Sequence, residues 1–506
     1  MRSLGAPVGA TFRLPGELTQ FIQREPSRSL LIRGEAGTGK TTLALTLLTA
    51  FPGHRLFISN RVPPAELEQD YPWLAGGGTG IQVIHGAKAS DRLRETARTI
   101  DESDKLVDLR RDHEIGEELW LPDAVTDAYS RIPDGDRGMI VIDSWDALVE
   151  HYVGAPRADR PSTPDRAEIE RILMGLMERG RVQLVLVVER DDPSQLDYLV
   201  DGVIYCTTQH DEGRLERWVH LKKLRGVRIS HPSYPFSLDE ARFQCIAPLQ
   251  GLARPRLLPP EPDPDPTPGS LWPGSSDFAE AFGRLPIGRA TLVETDLDVP
   301  AEAIVLFLTP IFSQVASLGG RALHILPPRA SPDTVLHAYR ALLTPEEFVD
   351  RVRIFSPRRA PQKGSDAAIL DRVLLPALGP VSDDTAPRMA EGTAFLAEGT
   401  AQGRPGLVAV WLTGLEHASI GAPNPYTRAN VPIIIERVLE IGNLHAIMVG
   451  PMTSPLTEGL REMSSTRIQV RSKHGRVFVY GLSPPTPPLV LAAGERSAAY
   501  ELIRIV

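Results

Sequence analysis

The chain has 506 residues, 42% of them hydrophobic and 24% charged, a formal net charge of −9, and only two cysteines, Cys206 and Cys245. That length exceeds what one hydrophobic core organises, so two domains of roughly 200 to 250 residues are expected. The composition excludes a disordered or membrane-spanning chain, and the acidic surplus leaves nucleic acid unsupported as a partner. Few cysteines and no apolar stretch of signal-peptide length before Pro15 point to the reducing cytoplasm.

In chain order, short β-branched runs (SLLIRG, HRLFIS, GIQVIHG, GMIVIDS, VQLVLVVER, DGVIYC) alternate with helical stretches such as TTLALTLLTAF and RAEIERILMGLMERGR. That alternation predicts a mostly parallel sheet flanked by helices. The segment from Ala253 to Pro273 is so proline-rich that it reads as a stiff, extended linker. After it the pattern recurs: RATLVET, AEAIVLFLTPIFSQVASLG, RALHILP, SPDTVLHAYRALL, VRIFSP, GLVAVWLTG, VPIIIERVLEIGN, LHAIMVG, RIQVRS, RVFVYGL. The expected organisation is a P-loop domain over 1–250, a linker over 251–275 and a second α/β domain over 276–506, a repeat of the first in its order of elements.

Gly34-Glu35-Ala36-Gly37-Thr38-Gly39-Lys40-Thr41 satisfies G-x-x-x-x-G-K-[ST], after a buried strand and before an amphipathic helix. Such a loop turns successive N–H groups inward at phosphate oxygens, and the helix adds its positive end. The predicted nucleotide site is therefore Gly34 to Thr41 with Thr42. Lys40 is expected on the β- and γ-phosphates and the Thr41 hydroxyl on Mg²⁺. The apolar strand GMIVI ends at Asp143, where a P-loop protein places the carboxylate that holds magnesium and its waters. Asp146, three residues on, reads as an acid at the start of the next helix.

The second half has no such loop. RATLVET runs into Asp296-Leu-Asp298-Val-Pro-Ala301-Glu302, so Ala301 and Glu302 stand about where lysine and hydroxyl are needed, and the carboxylates would repel phosphate. Its counterpart of the Asp143 strand, Gly406 to Thr413, ends without a carboxylate.

Near the end of the first half stands Leu221-Lys222-Lys223-Leu224-Arg225-Gly226, then His231 and Tyr234-Pro-Phe236. The arrangement resembles the KaiC-like branch of the RecA superfamily, whose members carry K-x-R-G, a histidine and Y-P-F at this point. The resemblance implies two tandem RecA-like domains, the second degenerate. It also implies a ring-forming homo-oligomer in which Lys223, Arg225 and His231 reach a neighbouring subunit's nucleotide. Within that branch, the approach Phe12-Arg-Leu-Pro15-Gly-Glu17, the turn Ser59-Asn-Arg61-Val62-Pro63 and Tyr71-Pro72-Trp73 resemble the archaeal gas-vesicle regulator GvpD family. That family implies an ATP- and Mg²⁺-dependent switch acting on a protein partner such as a transcriptional activator. KaiC-like hydrolases carry adjacent glutamates where this chain has Arg61 and Val62, so slow turnover is expected, with Lys40 and Asp143 the catalytic groups. The alternatives are an active KaiC-like ATPase working as a motor or on DNA, and a scaffold with a structural nucleotide.

Overall fold

The computed structural model describes residues 13–24, 27–75, 78–85, 123–154, 166–179, 182–189, 192, 194–249, 256–327, 330–356, 366–375, 385–416, 428–494 and 500–506. Phe12, the first residue of the expected Phe-Arg-Leu-Pro approach, lies outside them. The chain forms two compact units, Met1–Ala247 with Ile505–Val506, and Pro248–Arg504.

The first unit contains strands β1 (Ser29–Arg33), β2 (His54–Ser59), β3 (Ile81–His85), β4 (Gly138–Asp143), β5 (Val182–Val187), β6 (Gly202–Asp211), β7 (Arg214–Leu224), β8 (Ser233–Ser237) and β9 (Gln244–Cys245). They make one sheet in the order β3-β2-β4-β5-β1-β6-β7-β8-β9. Pairing is parallel from β3 to β6 and antiparallel from β6 to β9.

β1 is buried along its whole length, which is why it reads as a continuous apolar run. Leu30 and Ile32 pack with Leu43, Leu47, Val141 and Val185 under the helix Lys40–Ala50. Leu31 faces the other layer, with Ile140, Leu184, Trp145 and Leu173. Each such side chain contributes about 1.5–3 kcal/mol by burial, and a one-residue slip would exchange the two faces, so the register of β1 is strongly set. Its carboxyl end is therefore held in place, and that end feeds the glycine loop.

The second unit contains β10 (Ser270–Leu271), β11 (Leu285–Pro286), β12 (Ala290–Thr295), β13 (Arg321–Ile325), β14 (Val352–Phe355), β15 (Leu374–Leu375), β16 (Gly406–Trp411), β17 (Leu444–Pro451), β18 (Thr466–Lys473), β19 (Arg476–Ser483), β20 (Leu489–Ala493) and β21 (Tyr500–Arg504). β10 and β11 pair separately, and the others form a sheet in the order β15-β14-β13-β16-β17-β12-β18-β19-β20-β21. Apart from β15 at one edge, this repeats the first sheet strand for strand: β12 takes the place of β1, β16 of β4, β17 of β5 and β18 of β6. The protein is thus two tandem α/β RecA-like domains.

The proline-rich segment is more than a spacer. Leu257, Leu271 and Trp272 are buried, the Leu257 N–H donates to the Ala338 carbonyl (3.0 Å), and the Trp272 indole donates to the Glu261 carbonyl (3.0 Å). Leu258 stays exposed, so it is these three side chains that seat the segment in the second unit.

Candidate functional site

The loop between β1 and the helix Lys40–Ala50 depends on glycine at its two ends. At Gly34, with φ 147°, a Cβ would lie 2.2 Å from the Cys206 carbonyl oxygen and 2.8 Å from Thr38 Oγ1. Gly39, with φ 88°, occupies the left-handed region immediately before the helix. Between them Glu35, Ala36 and Gly37 are exposed, while Thr38 is buried and its hydroxyl donates to the Glu35 carbonyl (2.8 Å). A Cβ at Gly37 would meet nothing within 4 Å, so the mouth of the loop is open.

Lys40 is only 7% exposed, and its ammonium donates to the Gly34 (2.7 Å) and Glu35 (2.6 Å) carbonyls. A buried cation thus sits within the loop at the amino end of an 11-residue helix whose first N–H groups lack partners inside the helix. The Thr41 hydroxyl donates to Asp143 Oδ2 (2.5 Å), joining the first turn of that helix to the end of β4. Burial pushes the Asp143 carboxyl up, while the Thr41 hydrogen bond and the Lys40 ammonium pull it down, and the net direction is upward. Asp143 does not cap the following helix. That falls to Ser144, whose Oγ accepts from the Ala147 N–H (3.4 Å). Beneath the loop, burial pushes the Cys206 thiol up to about 12, leaving it a neutral packing group.

These residues fit a nucleotide with magnesium: the loop is open, the cation lies within it, and a hydroxyl and a carboxylate supply hard oxygen donors side by side. Magnesium would bring charge neutralisation of the phosphates, with Thr41 and Asp143 nearest to hold it.

The family-like motifs act as braces. Ser59 Oγ closes its turn by bonding the Val62 carbonyl (2.5 Å), and Asn60 donates from its backbone to the Asp143 carbonyl (3.0 Å) and from its side chain to that of Ser144 (3.0 Å). The Tyr71 hydroxyl lies 3.2 Å from Thr42 Oγ1 on the loop helix, and the Trp73 indole donates to the Ala241 carbonyl (2.8 Å). Glu17 accepts from the Ser230 (3.2 Å) and His231 (3.1 Å) amides and the Tyr234 hydroxyl (2.6 Å). Burial raises its carboxyl, but these donors outweigh that and hold it low.

The structure gives the remaining predicted residues definite partners. Lys223 donates to the carbonyls of Asp197 (3.1 Å), Tyr198 (3.5 Å) and Val200 (2.6 Å), at the carboxyl end of the short helix Gln195–Leu199. Arg225 pairs with Asp201 (3.0 Å), and the His231 ring meets Tyr234 edge-on at 6.1 Å. All three are thus engaged within their own chain. Asp146 is buried rather than solvating its helix: Oδ1 accepts from Arg166 (2.9 Å) and Oδ2 from the Glu189 N–H (3.2 Å).

Two residues near the site escaped the sequence reading. Arg217 on β7 donates to the Gly37 carbonyl (2.8 Å), bracing the loop from outside. Nothing in its polar, alternating strand marks it. Glu189 forms an ion pair with Arg61 and adds to the field that raises Asp143. Its signal was available: like Asp143, it is a carboxylate at the carboxyl end of a buried apolar strand.

A family profile described as the P-loop domain of GvpD gas vesicle protein matches residues 18–222. The chain is 29% identical over 365 residues to the protein GvpD2 of Halobacterium salinarum, covering 70% of each. It is 30% identical over 240 residues to GvpD1 of the same organism, covering 47% of this chain and 41% of that one. The profile spans the glycine loop, Asp143 and Glu189, and ends just before Lys223.

Proposed function

We propose that this chain, whose residues 18–222 match the P-loop domain profile of GvpD gas vesicle protein, is an ATP- and magnesium-binding regulator whose nucleotide state changes its contacts with a protein partner. In this reading Gly34 to Thr42 hold the triphosphate, Lys40 meets the β- and γ-phosphates, and Thr41 and Asp143 hold Mg²⁺. The partner is a regulatory protein of the cytoplasm, such as a transcriptional activator, and the second unit is kept for packing and partner binding. The observation that carries the reading is the Lys40 ammonium buried within an open glycine loop, beside the Thr41–Asp143 contact. Hydrolysis is slow, well below the roughly 1 to 100 per second of efficient phosphoryl-transfer enzymes, because Arg61 and Val62 stand where the KaiC-like glutamates would be.

Calorimetric titration with ATP, with and without magnesium, tests this. The wild-type chain should bind ATP more tightly with the metal, and Asp143→Asn should lose that metal-dependent gain while keeping its metal-free affinity. No binding in the wild type sinks the reading. Equal losses with and without metal would make Asp143 a structural group instead.

A further inference from the structure

We infer that Glu189 is the carboxylate that orients the hydrolytic water in this site, and that Arg61 holds it in an ion pair until the water is engaged. This rests on the proposal that the first unit binds ATP with magnesium. The placement comes from the sheet. β5 lies between β1, whose end feeds the glycine loop, and β4, whose end is Asp143. Val187 is in register with Asp143, and the next residue, Val188, donates from its backbone to the Ile32 carbonyl (2.9 Å). Glu189 therefore emerges at the carboxyl edge, between the strand that delivers Lys40 and the strand that delivers Asp143, where ligands of open α/β sheets bind.

Its backbone is fixed as well. The Glu189 N–H donates to Asp146 Oδ2 (3.2 Å), Asp146 Oδ1 accepts from Arg166 (2.9 Å), and Arg166 also pairs with Glu170 (2.9 Å), which accepts from the Trp145 indole (3.1 Å). A buried carboxylate used to hold one backbone amide makes Asp146 a positioning residue for Glu189. The side chain of Glu189 is freer, about one-third exposed, and Arg61 is more than half exposed. A pair so open to water holds its partner weakly, so it can open at each turnover.

With the pair open, Glu189 Oε accepts a proton from the water. The water oxygen forms its bond to the γ-phosphorus as the bond from that phosphorus to the bridging oxygen breaks. The electron pair leaves with ADP, and the proton returns to the released phosphate. This gives a water-orienting carboxylate to a site that lacks one after β2, and the need to open the pair slows release by only about two- to fivefold.

Four proteins decide the matter: the wild type, Glu189→Gln, Arg61→Ala and the double variant. For each, ATP affinity in magnesium is measured by calorimetry and phosphate release under single-turnover conditions. ATP affinity should stay within about threefold throughout, which also reports an intact loop. Release should fall at least tenfold in Glu189→Gln, rise two- to fivefold in Arg61→Ala, and stay low in the double variant. Unchanged release in Glu189→Gln with ATP still bound overturns the role of Glu189 and leaves ATP binding standing. Release in the double variant as fast as in Arg61→Ala overturns it equally. Absent ATP binding in the wild type is a failure of the proposed function itself.

Discussion

β1 of the first unit and β12 of the second occupy the same place in their sheets, and each buries a charge at the same step of the strand. Leu31 and Leu292 face one layer, Ile32 and Val293 the other, and the next residues are Arg33 and Glu294. Arg33, 2% exposed, is held by Asp197 (2.5 and 3.0 Å), Ser194 (2.7 Å) and the Asp192 carbonyl (2.9 Å). Glu294, 1% exposed, is held by Arg461 (2.6 and 3.0 Å) and Arg467 (2.8 and 3.3 Å). Asp197 lies on the helix after β5 and Arg461 caps the helix after β17, so the pair recurs with its signs exchanged. A buried charge requires a partner of opposite sign, but the architecture is indifferent to which strand carries which sign. The nucleotide site has no such freedom. Beyond Glu294 the chain runs through Asp296, an 81% exposed Leu297 and Asp298, and the following helix starts at Ala301 where the first begins at Lys40. β16 ends at Trp411 where β4 ends at Asp143. Packing tolerates substitution by a compensating pair, whereas a phosphate cradle is lost with its glycines and lysine.

The largest expected effect bears on that asymmetry. Lys40→Ala should abolish measurable ATP binding by the whole chain, because it removes the only cation placed in a glycine loop among the described residues and leaves the second unit with carboxylates at the corresponding point. Calorimetry that still finds a magnesium-dependent site in Lys40→Ala would place a working site in the second unit and break the comparison.

Next in size is the exchanged ion pair. Glu294→Ala strands two guanidinium groups, and breaking a buried pair in this way costs about 3–5 kcal/mol, with the lower end favoured because Arg461 and Arg467 are each about one-third exposed. Arg33→Ala should cost a similar amount in the first unit. Scanning calorimetry of the full chain separates them, since saturation to about 100 times Kd raises the ATP-binding unit by about 2.7 kcal/mol and so identifies its transition. Glu294→Ala should lower the ATP-insensitive transition and Arg33→Ala the ATP-sensitive one. Both variants lowering the same transition would contradict the equivalence of the two strands.

What could be read from the sequence follows the same division. Parallel strands buried on both faces announce themselves as continuous apolar runs, so the succession of strands and helices in each half was legible, as were the glycine loop and Asp143, whereas the order of the strands within each sheet was not. The antiparallel extensions were harder. The Thr207-Thr208-Gln209-His210-Asp211 end of β6 is polar, and only its pairing with β7 makes it a strand. Lys223, Arg225 and His231 are conspicuous in sequence, yet their partners are carbonyls, Asp201 and Tyr234, contacts that only the folded chain discloses. Glu189 stands two residues beyond the end of β5, and only the order of the strands in the sheet puts it beside Asp143.

The smallest effect concerns acid and again separates the units. In the second unit, burial lowers His324 and His445 from the ordinary 6.5 to about 4, and for His445 a hydrogen bond to the Pro286 carbonyl (2.9 Å) only partly offsets it. That carbonyl can only accept, so Nδ1 carries the proton and Nε2 faces Thr291 (3.0 Å), the neutral form that the packing requires. A group whose affinity for protons is lower folded than unfolded stabilises the fold above its unfolded value. That contribution is lost as pH falls from about 6.5 towards 4, because the unfolded chain takes up the proton first. Between pH 7 and 5.5 each histidine should forfeit about 1 kcal/mol, together lowering the ATP-insensitive transition by roughly 4–8 °C. The same scans on the double variant His324→Gln/His445→Gln isolate the histidines from every other titrating group. Wherever its ATP-insensitive transition starts, it should fall less over this interval than that of the wild type. Equal falls in the two proteins would show that the buried imidazoles do not set the acid sensitivity of the second unit.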